Sequence, residues 1–277
     1  MKYSKICILV FVCMLLASCK GKYTTNDIIL RAEALLNSKP DSAQKLLLSI
    51  PHPEKLSKAD YAAWCLQYTH SQYKLYQDIK SDSLIRVSVD YYENSNLTKQ
   101  SGMAYYLLGC ILQLNQNNKE AMWAYKKAED LLKETNENNL KGLVDFKIGH
   151  TCMQDELFNQ SLEYFRKSQR YFIISKNQNY QAYVYLAISD MYSRLNYPFD
   201  SVMYYSNLAL RFSKQSGDSI NYYSTLAQQG ELLYDKNYTR AKEYILRAYR
   251  FFPINRSYYG AYLSYEYSKL NKPDSAK

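Results

Sequence analysis

Apolar residues recur at helical spacing along most of the chain, in segments separated by short polar turns. No long stretch alternates between apolar and polar residues, as a half-buried β-strand would. Glycine and proline, the residues least compatible with helix interiors, occur only 8 and 6 times in 277 residues. The pattern predicts an all-α protein.

One kind of apolar segment recurs at near-regular intervals, each time after a polar turn. Its copies are SAQKLLLSI, SLIRVSVDYY, EAMWAYKKA, QSLEYFRKS, SVMYYSNLA and RAKEYILRA. The second residues of these copies lie 41, 37, 40, 41 and 39 residues apart, at Ala43, Leu84, Ala121, Ser161, Val202 and Ala241. A steady period of this length is typical of stacked helix hairpins. Each copy is therefore predicted to open the second helix of a hairpin.

The first helix of a hairpin is clearest in two copies. The segment from Gly102 to Gly109 returns 40 residues later as the segment from Gly142 to Gly149. Small and aromatic residues then follow in the same order in both second helices: Ala121, Tyr125 and Ala128 in one, Ser161, Phe165 and Ser168 in the other. Small residues allow two helices to approach closely, and we expect the aromatic residue to fill the gap between neighbouring hairpins.

This order of residues resembles the tetratricopeptide repeat (TPR), whose pattern is W-x2-L-G-x2-Y…A-x3-F…P. The leading Trp is absent here, and the period is nearer 40 than 34 residues. HEAT-like helix pairs share a similar period, but the glycine, small-residue and aromatic series favours the TPR. The resemblance covers about residues 26–277. It implies a right-handed superhelical solenoid of about six antiparallel hairpins plus a terminal half repeat.

The phrase KPDSA occurs at residues 39–43 and again at 272–276, one residue before the chain ends. We therefore expect the repeat domain, residues 26–277, to stop within a seventh hairpin. The Asp-Ser pairs that begin at Asp41, Asp82, Asp200 and Asp274 precede second helices, and we predict that they cap them. Asp-Ser-apolar also resembles the acceptor of an O-glycosylation system of exported bacterial proteins. That alternative makes acceptors of Ser42, Ser83, Ser201, Ser219 and Ser275.

The N-terminus has the three parts of a secretory signal peptide, predicted as residues 1–18. Lys2 and Lys5 precede an apolar run at residues 6–17 that is too short to span a bilayer as a mature helix. The sequence LASC ending at Cys19 resembles the lipobox of bacterial lipoproteins, which implies acyl chains on Cys19, followed by a short linker to residue 25. Lys20 replaces the Asp of inner-membrane retention, and no acidic surface-display signal follows. The resemblance thus implies the periplasmic face of the outer membrane.

Charge and cysteine content fit an exported helical protein. The formal net charge is +9, and about +7 remains without the two lysines of the signal peptide. For an exported chain this favours anionic lipid or acidic polymer, or simply a mildly basic surface, so we predict no nucleic-acid partner. Three further cysteines, Cys65, Cys110 and Cys152, are widely spaced and lie in apolar segments that are predicted to be helical. We therefore expect their thiols to be buried and free rather than joined in disulfides.

The sequence offers little to catalysis. His52, His70 and His150 are isolated from one another, and no HExxH, CxxC, GxSxG or phosphate-binding glycine loop is present. We predict that the protein is not an enzyme and has no cofactor, no metal and no evident small-molecule substrate.

The TPR resemblance implies a concave groove, lined by first helices, that binds a protein or peptide ligand. Spacing from the glycines directs five side chains into it, namely Tyr106, Gln113, Phe146, His150 and Gln154. Tyr223 and Tyr258 are further candidates, since tyrosine joins a rigid apolar ring to a polar tip.

Three functions stay open. The first is a lipid-anchored interaction scaffold or exported sensor module. The second is an outer-membrane assembly lipoprotein of the barrel-assembly type. The third is a truncated periplasmic part of a TPR-containing transcriptional regulator, because the chain resembles the exported N-terminal part of such regulators from Gram-negative anaerobes.

Overall fold

The computed structural model describes residues 24–251, and every regular element in that range is helical. The twelve α-helices are α1 (Thr25–Leu35), α2 (Pro40–Leu48), α3 (Lys58–Lys74), α4 (Ser83–Glu93), α5 (Thr98–Leu114), α6 (Asn118–Leu132), α7 (Asn138–Gln154), α8 (Phe158–Ile174), α9 (Gln178–Arg194), α10 (Phe199–Ser216), α11 (Ser219–Leu233) and α12 (Tyr238–Phe251). A single 3₁₀ turn, Pro53–Lys55, precedes α3. The predicted all-α fold is confirmed. The signal peptide, Cys19 with its linker, and the terminal half repeat lie outside the described residues.

The chain divides into two compact units, with the boundary between Asn96 and Leu97. In the first unit α1 pairs with α2 and α3 pairs with α4, while α3 also packs on α1 and α2. Trp64 lies in the core of this unit, where its indole N–H donates to the carbonyl of Leu47 at 3.0 Å. The hydroxyl of Ser88 on α4 donates to the carbonyl of Ala62 on α3 at 2.8 Å. These two bonds satisfy polar groups that the close packing of the hairpins takes out of water.

The second unit consists of four hairpins, α5–α6, α7–α8, α9–α10 and α11–α12. Each second helix also packs on the first helix of the following hairpin. First helices meet directly as well, α5 with α7 and α9 with α11. The recurring phrases of the sequence lie in the second helices, as predicted, and Ala121, Ser161 and Ala241 are fully buried there. Each hairpin thus covers the apolar face of the next, as expected of a helical repeat.

Glycine in the first helix allows a large side chain of the second helix to lie across it. A Cβ atom at Gly109 would stand 2.4 Å from Cε1 of Tyr125, and one at Gly149 would stand 2.7 Å from Cε1 of Phe165. Both aromatic rings are fully buried, and their described ring contacts are with the first helix of their own hairpin. Phe165 also belongs to one buried cluster with Val184 and Ile188 of α9 in the next hairpin, so the expectation that these rings fill the gap between hairpins stays a prediction. Within each hairpin, the ring occupies the space that the glycine leaves beside the first helix.

Serine in place of alanine adds hydrogen bonds to the same close contact. The hydroxyl of Ser161 donates to the carbonyl of Gly149 at 2.9 Å, and that of Ser168 donates to the carbonyl of Gly142 at 2.8 Å. Both serines are fully buried. A hydroxyl costs free energy when it is buried unbonded, so these bonds explain why serine is tolerated at the small-residue positions.

The predicted Asp-Ser caps are wrong at all three described pairs before second helices. Asp41 lies inside α2, which starts at Pro40, and Asp200 lies inside α10. Asp82 holds the N-cap position of α4, but its carboxylate accepts from Arg86 at 2.8 Å and makes no cap bond. Asp41 and Asp200 still meet the positive end of the helix dipole. Side-chain caps occur elsewhere, at Thr24, Ser57, Asn117, Asn177, Asp218 and Asn237.

Many helices end in the same turn, which the sequence analysis missed. The residue after the C-cap is left-handed, with φ of 63° at Gln116, 59° at Glu156 and 55° at Lys176. The next backbone N–H then reaches back five residues, as from Asn117 to the Leu112 carbonyl at 2.8 Å. This is the Schellman arrangement, which satisfies carbonyls at the helix end. Glycine is the usual residue at this position, but among the left-handed turns of residues 24–251 only Gly217 is a glycine. The other turns were therefore not evident from the sequence.

The three cysteines of the described range, Cys65, Cys110 and Cys152, are free and buried, as predicted. Desolvation raises the pKa of the Cys65 thiol to about 11. Protonated buried thiols behave as small apolar side chains.

The close contact between Gly149 and Phe165 can be tested by substitution. We expect Gly149→Ala to lower the free energy of unfolding by about 1–3 kcal/mol, because the new methyl group overpacks the hairpin. Urea denaturation followed by circular dichroism measures the change. Adding Phe165→Leu should recover part of the loss, since the two positions are in contact and their effects are not additive. Equal stability of Gly149→Ala and the parent would contradict the contact.

Candidate functional site

A groove of about 440 Å³ runs over the first helices of three successive hairpins, α7, α9 and α11. Its apolar lining includes Phe146, His150, Met153, Tyr183, Leu186, Ala187, Ile220 and Ala227. Ile220 is 55% exposed, so the groove offers apolar surface that nothing in the described chain covers. An apolar concave surface with a few polar groups is typical of a ligand site.

Two of the predicted partner-binding residues, Phe146 and His150, lie together on the α7 side of the groove. Their ring centroids are 4.6 Å apart, and both rings contact Phe165, which lies behind them on α8. Desolvation lowers the pKa of His150 to about 4, and the nearby ammonium group of Lys147 acts in the same direction. The imidazole is therefore neutral at pH 7 and serves as a ring in an aromatic cluster.

The polar groups of the groove fall into two kinds. Asp190 and Arg194 form an ion pair with Nε and Oδ2 3.0 Å apart, on the α9 side. Asn221, near the start of α11, is 1% exposed, yet both polar atoms of its side chain lack a hydrogen-bond partner within the described structure. Gln228 Oε1 is likewise buried and unbonded. Buried polar groups are nearly always bonded, so the unpaired Asn221 amide is an exception at the edge of this groove.

The backbone of Asn221 is fully engaged, in contrast to its side chain. Its N–H donates to the capping carboxylate of Asp218 at 2.9 Å, and its carbonyl accepts from the hydroxyl of Thr225 at 2.8 Å. The first turn of α11 is therefore fixed, and the carboxamide is held in place beside the groove. An amide with one acceptor and two donors matches the donor and acceptor of a peptide unit.

Gln113 and Gln154 bond to each other instead of lining the groove. The Gln113 amide donates to Gln154 Oε1 at 3.4 Å and to Thr151 Oγ1 at 3.3 Å, while the hydroxyl of Tyr125 donates to Gln113 Oε1 at 3.2 Å. Lys147 Nζ donates to the same oxygen at 3.4 Å. This polar network ties the α5–α6 hairpin to α7. Gln154 remains exposed at its edge.

The remaining predicted partner residues lie elsewhere. Tyr106 is buried, at 3% exposure, and its ring is 6.4 Å from that of Tyr125. Tyr223 is half-buried and stacks on Phe251 at 4.2 Å, outside the groove lining. Tyr258 lies outside the described residues, and its role stays a prediction.

The serines proposed as glycosylation acceptors differ in access. Ser83 and Ser219 are exposed at the first positions of α4 and α11, whereas Ser42 and Ser201 are half-buried within helices. Ser275 lies outside the described range. Modification at any of them stays a prediction.

Asn221, Tyr183 and Ile220 were missed by sequence reasoning. Spacing did not single out Asn221, since Gln100 and Leu140 stand nine residues before Gly109 and Gly149 as Asn221 stands nine before Gly230. A polar residue at a buried repeat position marks a site that departs from its neighbours.

Within residues 24–251, no three His, Cys, Asp or Glu side chains are grouped to hold a metal ion. No helix in the same range is long and apolar enough to cross a membrane.

Comparison with known proteins defines the class of fold. No protein-family model matches the sequence, and no curated protein matches it. A solved Rap protein in complex with Competence and Sporulation Factor is similar, with 14% identity, a TM-score of 0.68 and coverage of 89% of this chain and 73% of that one. The quorum sensor NprR from B. thuringiensis has 14% identity, a TM-score of 0.63 and coverage of 89% and 72%. Pseudomonas aeruginosa pilF has 18% identity, a TM-score of 0.59 and coverage of 87% and 97%. The chain therefore has the fold of TPR-type helical repeat proteins.

The lowered pKa of His150 makes the stability of the folded protein depend on pH. Its pKa is lower in the folded protein, about 4, than the usual unfolded value of about 6.5. The unfolded chain therefore binds more protons, and stability falls as pH drops from about 6.5 towards 4. We expect His150→Gln to lose less stability than the parent over that range. Urea denaturation at pH 7, 5.5 and 4 measures the slopes, and equal slopes would show that His150 already accepts a proton when folded.

Proposed function

We propose that this protein is a non-enzymatic interaction module whose groove over α7, α9 and α11 binds an extended peptide segment of a protein ligand. The observation that carries this proposal is the Asn221 carboxamide, which is buried beside the groove with neither polar atom bonded. A peptide backbone supplies the matching donor and acceptor, so one side chain holds one residue of an extended ligand at two points.

The rest of the groove fits the same ligand. Apolar side chains of a peptide would contact Phe146, Tyr183 and Ile220, which come from three different hairpins. Asp190 and Arg194 stand at its edge and favour polar or charged residues at one end of the ligand. Gln228 Oε1 offers a second unfilled acceptor on the same helix as Asn221. Because the groove crosses several helices, it suits an extended segment better than a compact small molecule.

The place of action is part of the same proposal. The lipobox resemblance at Cys19 supports lipid anchoring, and the residues after it support the periplasmic face of the outer membrane. A protein at that place with a peptide-binding groove acts as a scaffold or as a sensor module. The similarity of the fold to the quorum sensor NprR and to a STAND protein with a TPR sensor supports the sensor role.

The groove is tested with peptides selected on it. A displayed library of random twelve-residue peptides is panned on the full chain, and the enriched peptides are measured by fluorescence anisotropy. We expect Asn221→Ala to weaken their binding about tenfold or more, the equivalent of about 1.4 kcal/mol. Asn159→Ala is the control, because Asn159 is an exposed asparagine on α8 outside the groove.

The unliganded variants supply an independent readout. Removing an unbonded buried amide is expected to leave the free energy of unfolding unchanged or to raise it, since no hydrogen bond is lost. Loss of peptide binding without loss of stability therefore identifies Asn221 as a ligand contact. Equal affinities of Asn221→Ala and the parent for every enriched peptide would reject the proposal.

A further inference from the structure

A second pocket, of about 360 Å³, lies between the second helices α6 and α8, with α7 at its base. Asp145 and Val144 of α7 form the base, and Tyr164 and Tyr171 of α8 form a wall. This pocket shares no lining residue with the groove over α7, α9 and α11. It is a separate site, and the proposed function makes no use of it.

The pocket occurs at a position where the repeat pattern is broken. Helices α5, α7 and α9 each have 17 residues and start 40 residues apart, so Tyr105, Asp145 and Tyr185 occupy equivalent places. All three are buried, with exposures of 2%, 3% and 6%. Two hairpins therefore fill this place with a tyrosine ring, and the hairpin between them has a short carboxyl side chain.

The walls of the pocket match the surroundings of the tyrosine ring in the next hairpin. There the ring of Tyr185 lies 6.2 Å from that of Tyr205 and 5.3 Å from that of Phe212, both on α10. The residues 41 positions earlier on α8 are Tyr164 and Tyr171, which line the pocket. The space above Asp145 is therefore bounded as a space for an aromatic ring. Space of this kind can hold a small aromatic molecule, as an engineered apolar cavity that binds benzene shows.

Asp145 is a carboxyl group that is 3% exposed and lines this pocket. Desolvation raises its pKa to about 7, and the charge of Glu129 adds to the rise, while Lys167, Lys126 and Arg170 oppose it. A protonated carboxyl both donates and accepts. At the base of a pocket, such a group can bond to a hydroxyl group of a ligand.

Lysines surround the mouth of the pocket. Lys126 Nζ donates to the hydroxyl of Tyr164 at 2.7 Å, and Lys167 Nζ stands 4.4 Å from the centre of the Tyr164 ring. Lys141 Nζ lies 5.6 Å from the centre of the Tyr171 ring. Lys133 completes a set of four ammonium groups, against the two carboxylates of Glu129 and Asp130. With Asp145 protonated, the lining carries a net positive charge and favours an anion.

We propose that this pocket binds a small ring-bearing organic anion, with its ring beside Tyr164 and Tyr171, a hydroxyl group on Asp145 and a carboxylate among the lysines. The simplest probe with these three features is 4-hydroxybenzoate. The ring replaces the tyrosine ring of the neighbouring hairpins, and the hydroxyl group bonds to the Asp145 carboxyl.

The first test is isothermal titration of the full chain with 4-hydroxybenzoate at pH 6. We expect saturable binding that Asp145→Tyr abolishes, because the new side chain fills the slot as Tyr105 and Tyr185 do. Helicity and the thermal midpoint of Asp145→Tyr should equal or exceed those of the parent. Lys167→Ala should weaken binding about tenfold, whereas Lys127→Ala, at an exposed lysine of α6 outside the pocket, should not.

The second test uses Asp145→Asn, which keeps the slot open if Asp145→Tyr does not fold. The groups that face Asp145 are Lys126, Glu129, Asp130 and Lys133 on α6, Lys141 on α7, and Tyr164, Lys167, Arg170 and Tyr171 on α8. Parent affinity should fall from pH 6 to pH 8 as Asp145 ionises and repels the anion, and the Asp145→Asn affinity should change less. Absence of binding to the parent at pH 6, equal binding by a folded Asp145→Tyr, or equal pH profiles would each overturn the proposal.

Discussion

The contact of a first-helix glycine with a large second-helix side chain sets the distance between the two helices in three of the four hairpins of the second unit, and the rest of that unit is built from these hairpins. The side chain of Tyr125 lies across Gly109, and that of Phe165 lies across Gly149. The side chain of Ile245 approaches Gly230 in the same way. Any Cβ atom at these glycines would come within 2.7 Å of that side chain. Because packed interiors leave few voids, this fit fixes the distance between the two helices of a hairpin.

The functional surfaces follow from that spacing. Hairpins of this thickness stack through the packing of each second helix on the next first helix, and the groove with Asn221 runs over three first helices. The same stacking leaves a recess between the second helices α6 and α8, where a tyrosine is replaced by Asp145. In both places a polar side chain lies where another repeat has a different residue. The repeat therefore provides the frame, and departures from it mark the candidate sites.

The sequence was informative where the physics is periodic. Helical spacing, the 40-residue period and the glycine series predicted the fold, the hairpin register and the buried second-helix positions such as Ala121 and Ser161. It was less informative where a local choice depends on backbone detail. Pro40 starts α2 before Asp41 can cap it, and Gln116 adopts a left-handed turn that glycine usually marks. The groove was predicted in kind, and Phe146 and His150 lie in it. The role of Asn221 could not be predicted from spacing, because it depends on a side chain that is both buried and unbonded in the folded protein.

The central claim is that the first helices α7, α9 and α11 form the ligand surface. Hydrogen exchange followed by mass spectrometry, with and without a peptide selected on the protein, tests it most directly, because backbone amides near a bound segment become protected. The account predicts slower exchange in the first turn of α11 and in the groove-facing parts of α7 and α9, with little change in α6, α8 and α10. Protection confined to those second helices, with none at the first turn of α11, would contradict it.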